Sequence, residues 1–319
     1  MRAFYAATLA TAVLAGPKDI PTVSICTTPG SGAKACYNMP VVGQGSCCGA
    51  YNISSWLALG GTHIDTSVDY GSQPTIAAAV QASGVPRSQL WITSKLNVES
   101  CATDMSGALD TLVLAPLQMQ YVDLLLLHHA GRWETDNNPH PPCFNLAAAG
   151  PAGNGTYYQC RMDTVKAMEA LVAAGKIRTW GVSNWQVRDL QQMFDVYGYY
   201  PAINQIEHHP WWHESEVVAF CNKHGILVEA YAPMGDGDRT HMRDAPIFAQ
   251  LATQYNVTLG QIIMSYDLQI GADIVIPRSH SSARQVENLN LFGAGQQPVV
   301  TLSEVDVAAI GGNHTFSKA

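Results

Sequence analysis

From about residue 60 onward, short apolar, β-branched runs alternate with longer amphipathic stretches, and this alternation restricts the fold more than any other feature of the chain. Such a pattern predicts strands joined by helical crossovers, and therefore a parallel sheet. Eight runs read as strands: Thr62–Asp65, Leu90–Lys95, Tyr121–His128, Thr179–Ser183, Ile203–Glu207, Leu227–Tyr231, Asp273–Ile276 and Leu289–Phe292. Helix-like segments lie between them, among them Thr75–Ser83, Thr164–Ala174, Val187–Val196 and Glu214–His224. Gly175 and Gly225 directly follow two of these and act as helix stops. Eight strands with crossover helices predict an α/β fold of the (β/α)₈ TIM-barrel class, and no GxGxxG follows the first strand to suggest an open dinucleotide-binding sheet. Upstream, Thr22–Cys26 and Met39–Val42 read as a hairpin covering the bottom of the barrel. Residues 130–162 read as a long irregular insertion after the third strand.

A barrel of this kind carries its site at the C-terminal ends of its strands. Polar residues gather there. Asp65 closes the first candidate strand and Tyr70 follows in its loop; Lys95 closes the second and His128 the third. Ser183 and Asn184 close the fourth, Gln205 and Glu207 the fifth and Tyr231 the sixth, while Arg278 and Ser279 follow the seventh. The strand interiors read as apolar. Taken singly, Asp65 could be a cap or a paired carboxylate, Tyr70 a packing aromatic, and Lys95 and His128 solvated rim residues. Together they suit a reaction in which a carbonyl accepts a hydride and a proton. Tyrosine is a weak acid, with an ordinary pKa of about 10, and a neighbouring lysine charge favours its tyrosinate form. Asp65 would hold Lys95 in place and charged, and His128 could donate a hydrogen bond to the carbonyl oxygen. His208, His209, His213 and Glu216, or the His128-His129 pair, raise the question of a metal. Adjacent histidines on a strand point to opposite faces, and no metal site is expected.

Six segments, in order, resemble the aldo-keto reductases: His63-Ile64-Asp65-Thr66 with Tyr70-Gly71; Trp91 through Leu96; Tyr121-Val122-Asp123-Leu124 through His128; Gly175-Lys176-Ile177-Arg178 with Gly181-Val182-Ser183-Asn184; Asn204-Gln205-Ile206-Glu207 with His209-Pro210; and Ile276-Pro277-Arg278-Ser279 through Arg284 and Glu287-Asn288. The resemblance runs from about Met39 to Ile310. It implies an NADPH-dependent reductase of an aldehyde or ketone, with NADPH/NADP+ as cofactor and a small carbonyl compound as substrate. It implies that Tyr70 is the proton donor, tuned by Lys95 and Asp65, with His128 orienting the carbonyl. Ser183, Asn184 and Gln205 would hold the nicotinamide carboxamide and Tyr231 would stack on its ring. Arg278, Ser279, Arg284 and Asn288 would bind the adenosine end. The chain departs from the family pattern at His129 and Cys47, where many members carry Trp, and at Arg278, where Lys is usual. The alternative on the same fold is a non-catalytic NADP-binding sensor or a secreted binding module.

The 319 residues carry a net charge of −8 and are 47% apolar. That core is sizeable, and the charge leaves no basic footprint for nucleic acid. Met1-Arg2, the apolar run Ala3–Leu14 and the small residue Ala15 have the layout of a secretory signal, too short for a membrane anchor. The expected organisation is a signal at 1–15 and one barrel domain over 16–319, a monomer with no membrane attachment, in the secretory pathway or outside the cell; the alternative is cytoplasmic. Eight cysteines and four glycosylation sequons, at Asn52, Asn154, Asn256 and Asn313, agree with export. Cys26 and Cys36 flank a turn and could pair across a hairpin, Cys143 and Cys160 bracket a Pro/Gly-rich loop that a bridge would stiffen, and Cys221 reads as a buried free thiol.

Overall fold

The computed structural model describes residues 20–32, 34–97, 104–130, 155–235, 241–293 and 296–311. The chain enters through an antiparallel hairpin, β1 (Thr22–Cys26) and β2 (Cys36–Pro40), whose register pairs Thr22 with Pro40 and Cys26 with Cys36. Eight parallel strands follow: β3 (Gln44–Gly45), β4 (His63–Asp65), β5 (Trp91–Leu96), β6 (Val122–Leu127), β7 (Ile177–Ser183), β8 (Ile203–Glu207), β9 (Leu227–Tyr231) and β10 (Ile274–Ile276). From β4 onward each pairs with its predecessor in the chain. A parallel bridge between Val42 and Val275 joins the two edge strands, supported by Gly43 N to Val275 O at 3.0 Å and Gly45 N to Pro277 O at 3.1 Å. The result is the (β/α)₈ TIM barrel that the alternation predicts.

One barrel strand lies elsewhere than the sequence expectation places it. Leu289–Phe292 is not a strand: Leu289 ends a helix, and Phe292 makes only an isolated bridge to Pro298. The remaining barrel strand lies upstream, at Gln44–Gly45. It is two residues long and flanked by glycine, so it has no β-branched signature. The seam it closes is tight, since a Cβ on Gly43 would come within 2.8 Å of His63 Nδ1 and Ile276 Cγ2. The apolar run Met39–Val42 is accordingly divided between two structures, Met39 in the hairpin and Val42 in the seam.

The helices α1 (Ile53–Ala58), α2 (Gln73–Ser83), α3 (Met105–Leu109), α4 (Ala115–Leu117), α5 (Gly155–Ala173), α6 (Val187–Tyr197), α7 (Ser215–His224), α8 (Pro246–Tyr255), α9 (Leu259–Gln269), α10 (Ser282–Leu289) and α11 (Glu304–Gly311) complete the described chain. α5 begins at Gly155 rather than Thr164, which shortens the predicted insertion. Gly225 caps α7 at φ 70°, and Gly175, just beyond α5, also has φ 70°. A side chain avoids this left-handed region and glycine does not.

Strand periodicity sorts the residues between two cores. On β6, Leu124 and Leu126 join Trp91, Ile203, Ile274 and Ile276 in one apolar cluster, while Leu125 and Leu127 belong to another, with residues of the outer helices. Ile25 and Met39 of the hairpin are buried in the first cluster, so the hairpin plugs the barrel's bottom as expected. Each fully buried leucine of this kind stabilises by roughly 1.5–3 kcal/mol. Cys26 and Cys36 are bonded across the hairpin. Cys221 is free and buried, its thiol pushed up to about 12 by burial. The expected signal at 1–15, the sequons at Asn154 and Asn313, and the Cys143–Cys160 pairing fall outside the described residues and side chains.

Candidate active site

Period-two alternation places His63 and Asp65 of β4, Thr93 and Lys95 of β5, Gln205 of β8 and Glu229 of β9 in one polar layer above the apolar floor. All six side chains are buried. Lys95 Nζ lies 2.6 and 2.7 Å from the two Asp65 oxygens and 3.1 Å from the Thr66 carbonyl. Burial works against the Lys95 ammonium, but the Asp65 carboxylate outweighs it and holds the ammonium above its ordinary range. The same Nζ sits 4.8 Å from the centre of the Tyr70 ring. Tyr70 ends a short 3₁₀ turn, Val68–Tyr70, that Ser67 caps. Burial raises its phenol above the usual range, and the Lys95 charge pulls in the opposite direction. Lys95 therefore acts on Tyr70 in the expected sense, but burial is the larger influence.

His128 stands edge-on to Tyr70, with ring centres 5.8 Å apart. Its Nδ1 meets the Ser67 hydroxyl at 3.3 Å and an Asp69 carboxylate oxygen at 3.2 Å. Burial, reinforced by the Lys95 charge, takes the imidazole down to about 2, so it is neutral at working pH. The neighbouring His129 does not point to the opposite face. β6 ends at Leu127, the alternation ends with it, and the two imidazoles stack with centres 4.6 Å apart.

Ser183, Asn184, Gln205 and Tyr231 form one hydrogen-bonded group. Tyr231 Oη donates to Asn184 Oδ1 at 3.0 Å, Ser183 Oγ donates to the Gln205 carbonyl at 2.9 Å, and Asn184 Nδ2 reaches the His128 carbonyl at 3.0 Å. Gln205 Nε2 bridges Asp65 (2.9 Å) and Glu229 (2.7 Å). Glu229 is a functional candidate that the sequence reading passed over. Its pKa is pushed up to about 8, chiefly by burial and then by the Asp65 charge. His63 explains how the proton is housed. Its Nδ1 lies 3.0 Å from the Pro40 carbonyl, which can only accept, so Nδ1 carries the hydrogen. Burial takes His63 down to about 4, so its Nε2 is bare, and it faces Glu229 Oε1 at 3.5 Å. A protonated Glu229 suits that neighbour; a carboxylate does not.

Across the barrel mouth, Arg278 and Ser279 follow β10, Ser281 caps α10, and Arg284 and Asn288 lie on that helix. Gln44 Nε2 and Gln285 Nε2 both donate to the Ser279 carbonyl, at 3.2 and 3.0 Å, pinning this loop to the first barrel strand. Arg284 is exposed; Ser279 and Asn288 are buried. Helix N-termini of this kind favour anions.

All the predicted site residues except Lys95 line one cleft of about 1440 Å³, and Lys95 lies beneath it against Asp65. That volume exceeds the range of about 300–1,000 Å³ usual for a single drug-sized ligand. Glu207 is at the same rim. His208 is not: it is buried 3.4 Å from the buried Asp267. Among the described residues, no group of three or more His, Cys, Asp and Glu is placed to hold a metal ion.

Residues 53–306 match the model of the aldo/keto reductase family. The chain is 34% identical to aldo-keto reductase family 1 member A1 of Pongo abelii over 249 residues, 74% of each chain, and 33% identical to its Homo sapiens counterpart over the same lengths. Among solved structures, an aldo/keto reductase from Brucella melitensis superposes with a TM-score of 0.71 at 28% identity, covering 92% of this chain and 99% of that one. The aldose reductase of Schistosoma japonicum superposes with a TM-score of 0.69 at 25% identity, covering 86% and 89%. By its sequence and its barrel alike, the chain belongs to the aldo/keto reductase family, a family of oxidoreductases that act on carbonyl compounds.

Proposed function

We propose that this protein is an NADPH-dependent reductase of aldehydes or ketones. The observation that carries the reading is the fully buried Lys95–Asp65 pair set against the ring of Tyr70, with His128 edge-on to the same ring. A buried ammonium beside a phenol stabilises the phenolate that remains once the proton has left. Asp65 keeps that ammonium charged and fixed. Tyr70 Oη gives its proton to the carbonyl oxygen, and His128, neutral, directs that oxygen through a ring N–H. NADPH, when bound, would supply the hydride.

The residues fit the cofactor by their chemistry. Arg278, Ser279 and Arg284 offer guanidinium and hydroxyl donors at a capped helix N-terminus, which suits phosphate. Ser183, Asn184 and Gln205 are polar groups matched to a carboxamide, and Tyr231 presents an aromatic ring at the same mouth. The bonded Cys26–Cys36 pair and the exposed sequon asparagines Asn52 and Asn256 support passage through an oxidising, glycosylating compartment. Among the described residues, no helix is long and apolar enough to cross a membrane.

The test is NADPH oxidation measured against a panel of aromatic aldehydes, aliphatic aldehydes, sugars and ketosteroids, with Tyr70→Phe as its control. Wild type should turn over members of the panel. Tyr70→Phe should bind NADPH and lose about 10²–10⁴ in kcat, the usual worth of a general acid. Near-native turnover by the variant would overturn the proton-donor assignment.

A further inference from the structure

Cys47 and Cys48 are consecutive in sequence and bonded to each other. The bond closes a small ring through their shared peptide. The pair opens a 3₁₀ turn, Cys47–Gly49, in which Cys48 adopts φ 60° and Gly49 φ 76°. A side-chain-bearing residue seldom occupies this left-handed region, and ring closure helps hold Cys48 there.

The location of the ring gives it a role. Cys47 and Cys48 line the active-site cleft together with Tyr70, His128, His129 and Ala50. Cys48 is exposed and Cys47 half-buried, so a reductant can reach the sulfurs. The base beneath them is fixed: Ser46 is buried, its hydroxyl donates to the Asp65 carbonyl at 2.8 Å and lies 2.8 Å from the Ser72 hydroxyl. Arg278 Nη1 donates to the Cys47 carbonyl at 3.2 Å. Movement of the ring therefore acts on two things, the cleft wall beside Tyr70 and the arginine at the anion-binding end. The Cys26–Cys36 bond, by contrast, lies in the hairpin and is absent from the cleft lining.

We propose that Cys47–Cys48 is a reversible redox modification site that reshapes the carbonyl-binding wall, its closed form favouring aromatic aldehydes. The substrate part of this inference rests on the carbonyl-reductase reading above. The reducing partner is a dithiol. One of its thiolates attacks a ring sulfur, the Cys47–Cys48 bond breaks and a mixed disulfide forms. The second thiol then displaces the remaining cysteine, so the dithiol leaves as a disulfide and two electrons and two protons reside on Cys47 and Cys48. Closed, the ring is a compact apolar wall whose sulfurs can contact an aromatic face. Open, it becomes two independently rotating thiols.

The experiment uses the full chain, prepared without reductant and then treated or not with dithiothreitol. Alkylation and peptide mass mapping should find Cys47 and Cys48 blocked before treatment and doubly alkylated after it. Reduction should raise KM for benzaldehyde roughly three- to tenfold, move KM for acetaldehyde much less, and weaken NADP+ binding in a fluorescence titration. The double variant Cys47→Ser/Cys48→Ser retains Cys26–Cys36 and should give the same KM with and without dithiothreitol. Free thiols at 47 and 48 before treatment, a response that persists in the double variant, or ring opening that changes neither KM nor NADP+ affinity would each overturn the proposal. If neither form turns over any aldehyde, the carbonyl reading alone fails, and the switch stands or falls on the alkylation pattern and the reductant-dependent NADP+ affinity.

Discussion

Two buried carboxylates sit at opposite ends of the barrel, one clasped by two arginines and the other by one lysine. At the bottom, Asp123 accepts from Arg87 and Arg178, both at 2.6 Å, and from the Ile92 backbone N–H at 2.9 Å. At the top, Asp65 holds Lys95 at 2.6 Å. The arginine side chains are 21% and 30% exposed and lie over the Tyr121 ring at 4.1 and 5.0 Å; the lysine is 0% exposed. Guanidinium keeps its charge under all working conditions, whereas a buried ammonium is tuned by its neighbours. The bottom cluster is thus a clamp between strands and loops. The top cluster places an adjustable charge beside a phenol in a cleft. The same ion-pair chemistry makes a clamp or a tunable charge according to burial and to what lies next to the cation.

Substitution on either side should separate the two roles. The double variant Lys95→Met/Asp65→Asn should reduce kcat by about 10²–10⁴ with a smaller effect on melting, because it removes both buried charges and leaves neither without its partner. Asp123→Ala should do the reverse. It strands two partly buried guanidiniums and an N–H, so denaturant unfolding should show a loss of about 3 kcal/mol, while kcat per folded molecule stays near wild type. Equal effects of both variants on kcat and on stability would dissolve the distinction.

A third cationic region, at α10, is more open than either, since Arg284 is exposed and reads as a binding rather than a packing charge. Charge-assisted hydrogen bonds contribute about 1.5–3 kcal/mol. Arg284→Ala should weaken NADPH binding about tenfold and leave NADH nearly unchanged, as fluorescence titration with both cofactors would show. Equal losses for both would mean that the 2′-phosphate is not recognised there.

Glu229 extends the comparison to pH. Its pKa lies at about 8 in the fold against an ordinary 4.5, so the native state holds a proton that the unfolded chain releases. Between those two values unfolding releases a proton, and the contribution of this group falls as pH rises, levelling off above about 8. Glu229→Gln keeps the hydrogen bond with Gln205 within reach and removes the titration. Stability measured by urea unfolding from pH 5 to 8 should decline less steeply in the variant. Parallel slopes would show that Glu229 is ionised in the native protein.

Much of this was legible in the residue pattern. Asp65, Lys95, His128 and Asn184 are polar residues where strands end, and a barrel assembles strand ends. The barrel seam was harder to see, because Gln44–Gly45 is too short to carry a period. Glu229 carries its own signal: alternation through Leu227-Val228-Glu229-Ala230-Tyr231 places it on the same face as Tyr231. His129 escapes strand alternation because β6 ends at Leu127, two residues before it. The pairing of Cys47 with Cys48 depends on a local turn that composition does not reveal.

The smallest expected effect concerns which His128 nitrogen carries its hydrogen. A neutral imidazole that directs a carbonyl oxygen must present N–H at Nε2, so Nδ1 must accept. Ser67 can supply that hydrogen, since its Oγ already accepts from the Asp69 N–H at 3.4 Å and its own proton is available to Nδ1. The Asp69 carboxylate, 3.2 Å away, favours the opposite tautomer. Ser67→Ala removes the donor and leaves the carboxylate to decide, so kcat should fall roughly three- to tenfold, in line with one hydrogen bond of about 0.5–1.5 kcal/mol. Adding Asp69→Asn replaces the carboxylate with an amide that can donate to Nδ1, and should restore part of the loss. Because His128 titrates only near about 2, it stays neutral from pH 5 to 8, and these ratios should be constant across that range. A Ser67→Ala enzyme with wild-type kcat, or a deficit that grows or shrinks across that range, would show that Ser67 does not set the tautomer.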